Sequence, residues 1–141
     1  MVYLDTSLIV TALSKEGSST KVQDWLARQD PEELAISEWT ITEVSSALAI
    51  KLRRGDIDVG ERATLLAEFN RLVAESFTVL NVSGQHFRTA AHFVDNHELG
   101  LRAGDALHLA VAAQHGLKLV TRDERLASAG PAFGTPTKLF A

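Results

Sequence analysis

Val2-Tyr3-Leu4-Asp5-Thr6-Ser7 decides the fold, because a short apolar run is cut off abruptly by three polar residues. The run reads as a buried strand that delivers polar groups at its C-terminal end. Leu8 to Leu13 is apolar again and opens a helix. Further along, Leu34-Ala35-Ile36-Ser37 reads as a second strand and Phe77-Thr78-Val79-Leu80 as a third. Leu117 to Thr121 reads as a fourth, and Thr137 to Phe140 as a last one.

Helical patterns fill the gaps. Ser18-Ser19-Thr20 caps a helix to Arg28 with Val22, Trp25 and Leu26 on one face, and Asp30-Pro31 breaks it. From Thr40 to Arg54 a stripe of Ile41, Val44, Leu48 and Leu52 runs to a stop at Gly55, behind Lys51, Arg53 and Arg54. Asp58 begins a helix with Leu65, Leu66, Phe69, Leu72 and Val73 inward, and Ser83 caps one to about His97. Ala106 to His115 is nearly all apolar, so this helix is buried, and Gly116 ends it. Asp123 starts a short helical turn. Short apolar strands alternating with helices predict an α/β fold: a three-layer α/β/α domain around a central short parallel sheet. Such sheets bind ligands beyond their C-terminal strand ends, where the strand order reverses. Asp5 and Thr121-Arg122-Asp123 both follow strands directly.

A chain of 141 residues, 45% hydrophobic, fits one domain over 1–141 with a core of its own. The absence of cysteine excludes a disulfide scaffold, a thiolate zinc site and a cysteine nucleophile, and is compatible with a reducing cytoplasm. No apolar stretch approaches the ~20 residues that span a bilayer, and no basic segment precedes the first strand, so neither a membrane span nor a signal peptide is expected. The net charge of −4 decides nothing about nucleic acid. Four acids gathered around metal would leave the remaining surface neutral, with its Lys and Arg free to meet phosphate.

Of the 18 acids, most lie on exposed helix faces. Asp5 and Asp123 follow strands instead. Glu43, placed in the first turn of its helix, heads a column with Ala47 and Ile50, and Asp105 heads one with Leu109 and Ala112. Singly, each has a structural explanation as a helix cap or an acid answering a helix dipole. Together they suggest one shared rim. Two charges about 5 Å apart repel by roughly 3 kcal/mol at an effective dielectric of 20. Two divalent cations would relieve four carboxylates, and oxygen donors suit Mg²⁺ or Mn²⁺. A pair of such ions about 4 Å apart supports in-line phosphodiester hydrolysis.

Leu4-Asp5-Thr6-Ser7, Thr42-Glu43-Val44, Arg102-Ala103-Gly104-Asp105-Ala106-Leu107-His108-Leu109-Ala110 and Leu119-Val120-Thr121-Arg122-Asp123, in this order, resemble the PIN-domain nucleases. The stretch Asp105-Ala106-Leu107-His108-Leu109-Ala110 is most similar to that of VapC-type toxins of bacterial toxin–antitoxin pairs. The resemblance implies a parallel-sheet fold and metal-dependent endoribonuclease activity with one or two Mg²⁺ or Mn²⁺ ions. It places the catalytic, metal-binding acids at Asp5, Glu43, Asp105 and Asp123, with Ser7 and Thr121 as supporting hydroxyls. It further implies a cytoplasmic homodimer inhibited by a cognate antitoxin, with RNA as substrate.

Arg102 and Arg122 lie near the proposed acids, where each either contacts substrate phosphate or balances local charge. His108 is read as a hydrogen-bonded core or rim residue and not as a base. Three readings compete with a toxin ribonuclease: a PIN-like nuclease that processes RNA, a phosphatase using Asp5 as nucleophile, and a binding domain without turnover. Against the phosphatase, the position two after Asp5 is Ser7, where that chemistry commonly needs a second Asp.

Overall fold

In the computed structural model, which describes residues 1–140, the five strands fall where the apolar runs predict. The chain runs β1 (Val2–Leu4), α1 (Thr6–Leu13), α2 (Ser19–Ala27), β2 (Leu34–Ser37), α3 (Glu38–Arg54), α4 (Val59–Ser76) and β3 (Thr78–Leu80). It continues with α5 (Gly84–Asp95), α6 (Ala103–Gln114), β4 (Lys118–Thr121), α7 (Glu124–Ala132) and β5 (Thr137–Leu139). All strands are parallel, in the order β3-β2-β1-β4-β5. The chain first steps from β1 through β2 to β3, then crosses back to lay β4 on the other side of β1. The order therefore reverses between β1 and β4, and Asp5 and Asp123 leave the sheet on either side of that point.

Side chains alternate across the sheet. Leu4, Leu34, Ile36 and Val120 point to one face and pack on Leu8 and Ile9 of α1, Val22 of α2, Val44 and Leu48 of α3 and Phe69 of α4. Tyr3 and Leu119 point to the other, against Ala90 and Phe93 of α5, Leu126 of α7 and the inner face of α6. This is the predicted three-layer arrangement. α6 is buried continuously from Ala106 to Ala112, which explains its nearly unbroken apolar sequence. Among the described residues no helix is long and apolar enough to cross a membrane.

The helix ends differ from expectation in instructive ways. α3 starts at Glu38, earlier than the apolar stripe suggests, because Ser37 caps it and its backbone N–H donates to Thr40 Oγ1 (3.1 Å). Glu43 is consequently in the second turn, not the first. Gly55 closes α3 as expected, with a left-handed φ of 79°. α6 begins at Ala103, so Asp105 is its third residue and not its cap. α5 ends at Asp95, and His97–Leu99 forms a separate 3-10 turn. α7 is a full helix where a short turn is predicted: Asp123 accepts from the backbone N–H groups of Arg125 and Leu126, and Leu126 and Ala129 are buried. Pro131 in its last turn cannot donate to the Ala127 carbonyl, and Thr137 Oγ1 of β5 donates there instead (2.6 Å).

Candidate active site

Asp5 sits just past β1, 2% exposed. Ser7 Oγ donates to its Oδ1 (2.5 Å) and Thr121 Oγ1, at the end of β4, donates to its Oδ2 (2.8 Å). These two hydroxyls also organise the β4 exit, because Arg122 N–H donates to Ser7 Oγ (3.1 Å) and Asp123 N–H to Thr121 Oγ1 (2.9 Å). The Asp5 carboxyl is thus held by one side chain from the first turn of α1 and one from the end of β4. Burial pushes it above the usual carboxylate range, against the pull of His108 and the two hydroxyls.

Asp123 and Asp105 line one cleft of about 350 Å³ together with Gly100, Arg102, Glu124 and Arg125. Burial first, then the negative charges of Asp123 and Asp5, raise the Asp105 carboxyl to about 6, with Glu43 adding to the push and His108 opposing it. Asp105 thus feels the charge of each of the other three acids. Among the described residues no arginine forms an ion pair with any of them.

Glu43, on α3, reaches the same rim with its side chain 26% exposed. Thr6 Oγ1 donates to its Oε1 (2.6 Å), and His108 Nε2 meets the same oxygen. Burial raises its carboxyl, but the hydrogen bond and charge of His108 and the Thr6 hydroxyl outweigh that, leaving it below the usual range. Gly104 makes room for it. A Cβ on Gly104 would stand 2.8 Å from Glu43 Oε2 and 3.4 Å from Trp39 Nε1.

The two predicted arginines part company. Arg102 caps α6, is exposed and lines the cleft beside Asp105. Arg122 turns away, donating to Thr11 Oγ1 (3.1 Å) and Ser18 Oγ (3.2 Å) and facing Glu16 (3.6 Å), so its side chain ties α1 to the start of α2. Arg125 lines the cleft in its place. It sits next to the cap of α7, which only the full length of that helix reveals. Thr6 and His108 are the other participants that the sequence reading did not assign. His108 lies three residues after Asp105, hence on the same face of α6, and that spacing was the available signal.

Among the described residues no three Asp, Glu or His side chains form a ready-made nest for an ion. The donors nonetheless suit one: four carboxylates without a direct arginine ion pair, of which Asp5 is already oriented by two hydroxyls and Asp105 is raised by burial and by the charges of the other three. A larger cavity, about 620 Å³ between the ends of α1 and α3 and the start of α4, includes none of the four acids.

The model of the PIN domain family matches residues 2–130. Among solved structures, FitAcB from Neisseria gonorrhoeae superposes with a TM-score of 0.77 at 22% identity over 97% of this chain and 96% of that one. VapC20 of Mycobacterium tuberculosis, a sarcin-ricin loop cleaving toxin, gives 0.74 at 17% identity over 92% and 95%. VapBC2 from Rickettsia felis, crystallised with a DNA fragment from its promoter, gives 0.71 at 16% identity over 100% of both. No curated protein sequence matches. Identities this low speak for the fold alone, whereas the family match runs over nearly the whole chain and through all four acidic positions. The chain belongs to the PIN-domain family.

Proposed function

We propose that this PIN domain is a metal-dependent endoribonuclease and the toxin of a type II toxin–antitoxin pair. The observation that carries the reading is the convergence of Asp5, Glu43, Asp105 and Asp123 at the β1/β4 reversal point, with Asp105 raised to about 6 by burial and then by the charges of the other three. Asp5, Asp105, Asp123 and Glu43 would hold one or two Mg²⁺ or Mn²⁺ ions. Bound there, the metal supplies an activated water and stabilises the leaving oxygen of a phosphodiester. Ser7 and Thr121 keep Asp5 in one orientation and spare it from needing a cation of the protein's own. Arg102 and Arg125, exposed along the cleft, are the groups placed to contact backbone phosphates.

The same geometry argues against an aspartyl-phosphate mechanism. That chemistry commonly needs a second Asp two residues after the nucleophile, and the residue there is Ser7, whose hydroxyl donates to Asp5 Oδ1. Similar folds occur in toxin–antitoxin complexes from Klebsiella pneumoniae and Rickettsia felis, which supports an antitoxin as protein partner. We assign the chain a homodimeric state and a cytoplasmic location, beside its RNA substrate, as part of this reading.

The test is incubation of total cellular RNA with purified chain in Mn²⁺, Mg²⁺ or EDTA, beside Asp5→Asn. Discrete fragments that require metal and fall at least a hundredfold in the variant are expected. Asp5→Asn should stay folded and melt no lower than the parent, since it removes a buried charge. Equal cleavage by both proteins sinks the metal site. No cleavage by folded wild type favours a binding domain without turnover.

A further inference from the structure

Beneath the rim, polar groups form one connected chain. Ser37 Oγ lies 2.8 Å from the Tyr3 hydroxyl, which lies 2.6 Å from His108 Nδ1, and His108 Nε2 meets Glu43 Oε1. Ser37 and Tyr3 are fully buried and His108 is 1% exposed. Packing accounts for rings at positions 3 and 108 but not for their polar atoms. A phenylalanine and a leucine would fill the layer between β1 and α6 without the cost of burying a hydroxyl and an imidazole. The polar chain instead runs from inside the sheet to one acid of the site.

The chain also has a direction. The Glu43 carboxylate only accepts, and it already accepts from Thr6. The His108 nitrogen that faces it must carry a proton, so the neutral tautomer protonated at Nδ1 is excluded. Tyr3 holds the opposite nitrogen. Contacts on both edges fix the ring, and the ring in turn fixes the carboxylate.

We propose that His108 is a positioning residue that, held by Tyr3 on its far edge and aided by Thr6, sets the orientation of the Glu43 carboxylate on the acidic rim. The proposal rests on the reading of that rim as a divalent-cation site and adds to it a residue outside the four acids. Partners that orient metal-binding groups are worth about 10- to 100-fold in metal affinity or activity.

Two measurements on the full chain test it. The first is the His108 ring nitrogen spectrum of the metal-free protein: a proton on Nε2 is expected in wild type, and Tyr3→Phe should keep that proton while shifting and broadening the Nδ1 signal as the ring is released from its far-edge partner. The second is Mn²⁺ affinity by calorimetry, with cleavage rates alongside. His108→Phe, close in volume but without a donor, should lose about 10- to 100-fold in affinity. His108→Gln, which can still donate to Glu43, should recover most of it. A folded His108→Phe that binds Mn²⁺ like wild type, or a wild-type ring protonated only at Nδ1, overturns the proposal. If His108→Phe does not fold, Tyr3→Phe decides: a released ring with unchanged affinity overturns it equally. Should wild type bind no Mn²⁺ at all, the cation-site reading fails, while the ring spectrum still decides whether His108 orients Glu43.

Discussion

Asp105 and Asp5 are both pushed towards the protonated form, and for related reasons: partial or full burial, and in the case of Asp105 the charges of its neighbours. A carboxyl held at about 6 in the folded chain, against 3.8 for its usual value, binds its proton more tightly folded than unfolded. The stabilisation from that proton is complete below about pH 4 and disappears as the pH rises through 6. Melting of the metal-free protein from pH 4 to 7, compared with Asp105→Asn, should therefore show the wild type losing ground to the variant across this window. Parallel profiles would mean that neither burial nor the other acids raise Asp105. Of the residues at the site, the four acids were legible in the sequence as carboxylates at strand ends and helix starts, whereas Ser7 and Thr121 came only from the resemblance to the PIN-domain nucleases. Thr6 and His108 were not assigned, since the sequence shows neither which way a hydroxyl turns nor that a histidine on an apolar helix faces Glu43 across the sheet edge. Arg122 looked equivalent to Arg102 because both adjoin the acids. Only the placement of Thr11, Ser18 and Glu16 separates them.

α6 combines two demands, a fully buried face and an acid-bearing first turn, and Gly104 lies where they meet. Exchanging a helical glycine for alanine ordinarily stabilises by up to about 1 kcal/mol. Here the new methyl would stand 2.8 Å from Glu43 Oε2, the mobile end of a side chain, so the carboxylate and not the helix must give way. Gly104→Ala is expected to melt within a few degrees of wild type yet lose about tenfold or more in cleavage rate. A variant that is both as stable and as active as wild type would show that Glu43 has no fixed position. Element identity followed from apolar periodicity throughout. Boundaries slipped where capping side chains extend a helix beyond its apolar stripe, as Ser37 does for α3 and Asp123 for α7. The slip mattered for Glu43, which moved by a turn, and for Arg125, which α7 carries onto the rim.

For the whole molecule, acids collected at one rim oppose folding until a counter-charge arrives. A cation that binds the folded chain and not the unfolded one stabilises it by about 2.7 kcal/mol at a hundredfold excess over its Kd. Mn²⁺ should raise the melting temperature of wild type, and Asp5→Asn should blunt the rise. An equal rise in both would assign the effect to some other site. The crossing from β3 back to β4 has a further consequence. Asp5 waits for Thr121 and Asp123, which are separated from it by most of the chain. A ribosome adding roughly 5–20 residues per second needs on the order of ten seconds to deliver them. Throughout that interval the nascent polypeptide carries its first acid without its partners from β4, so the candidate site comes into being only when nearly the whole chain has been made.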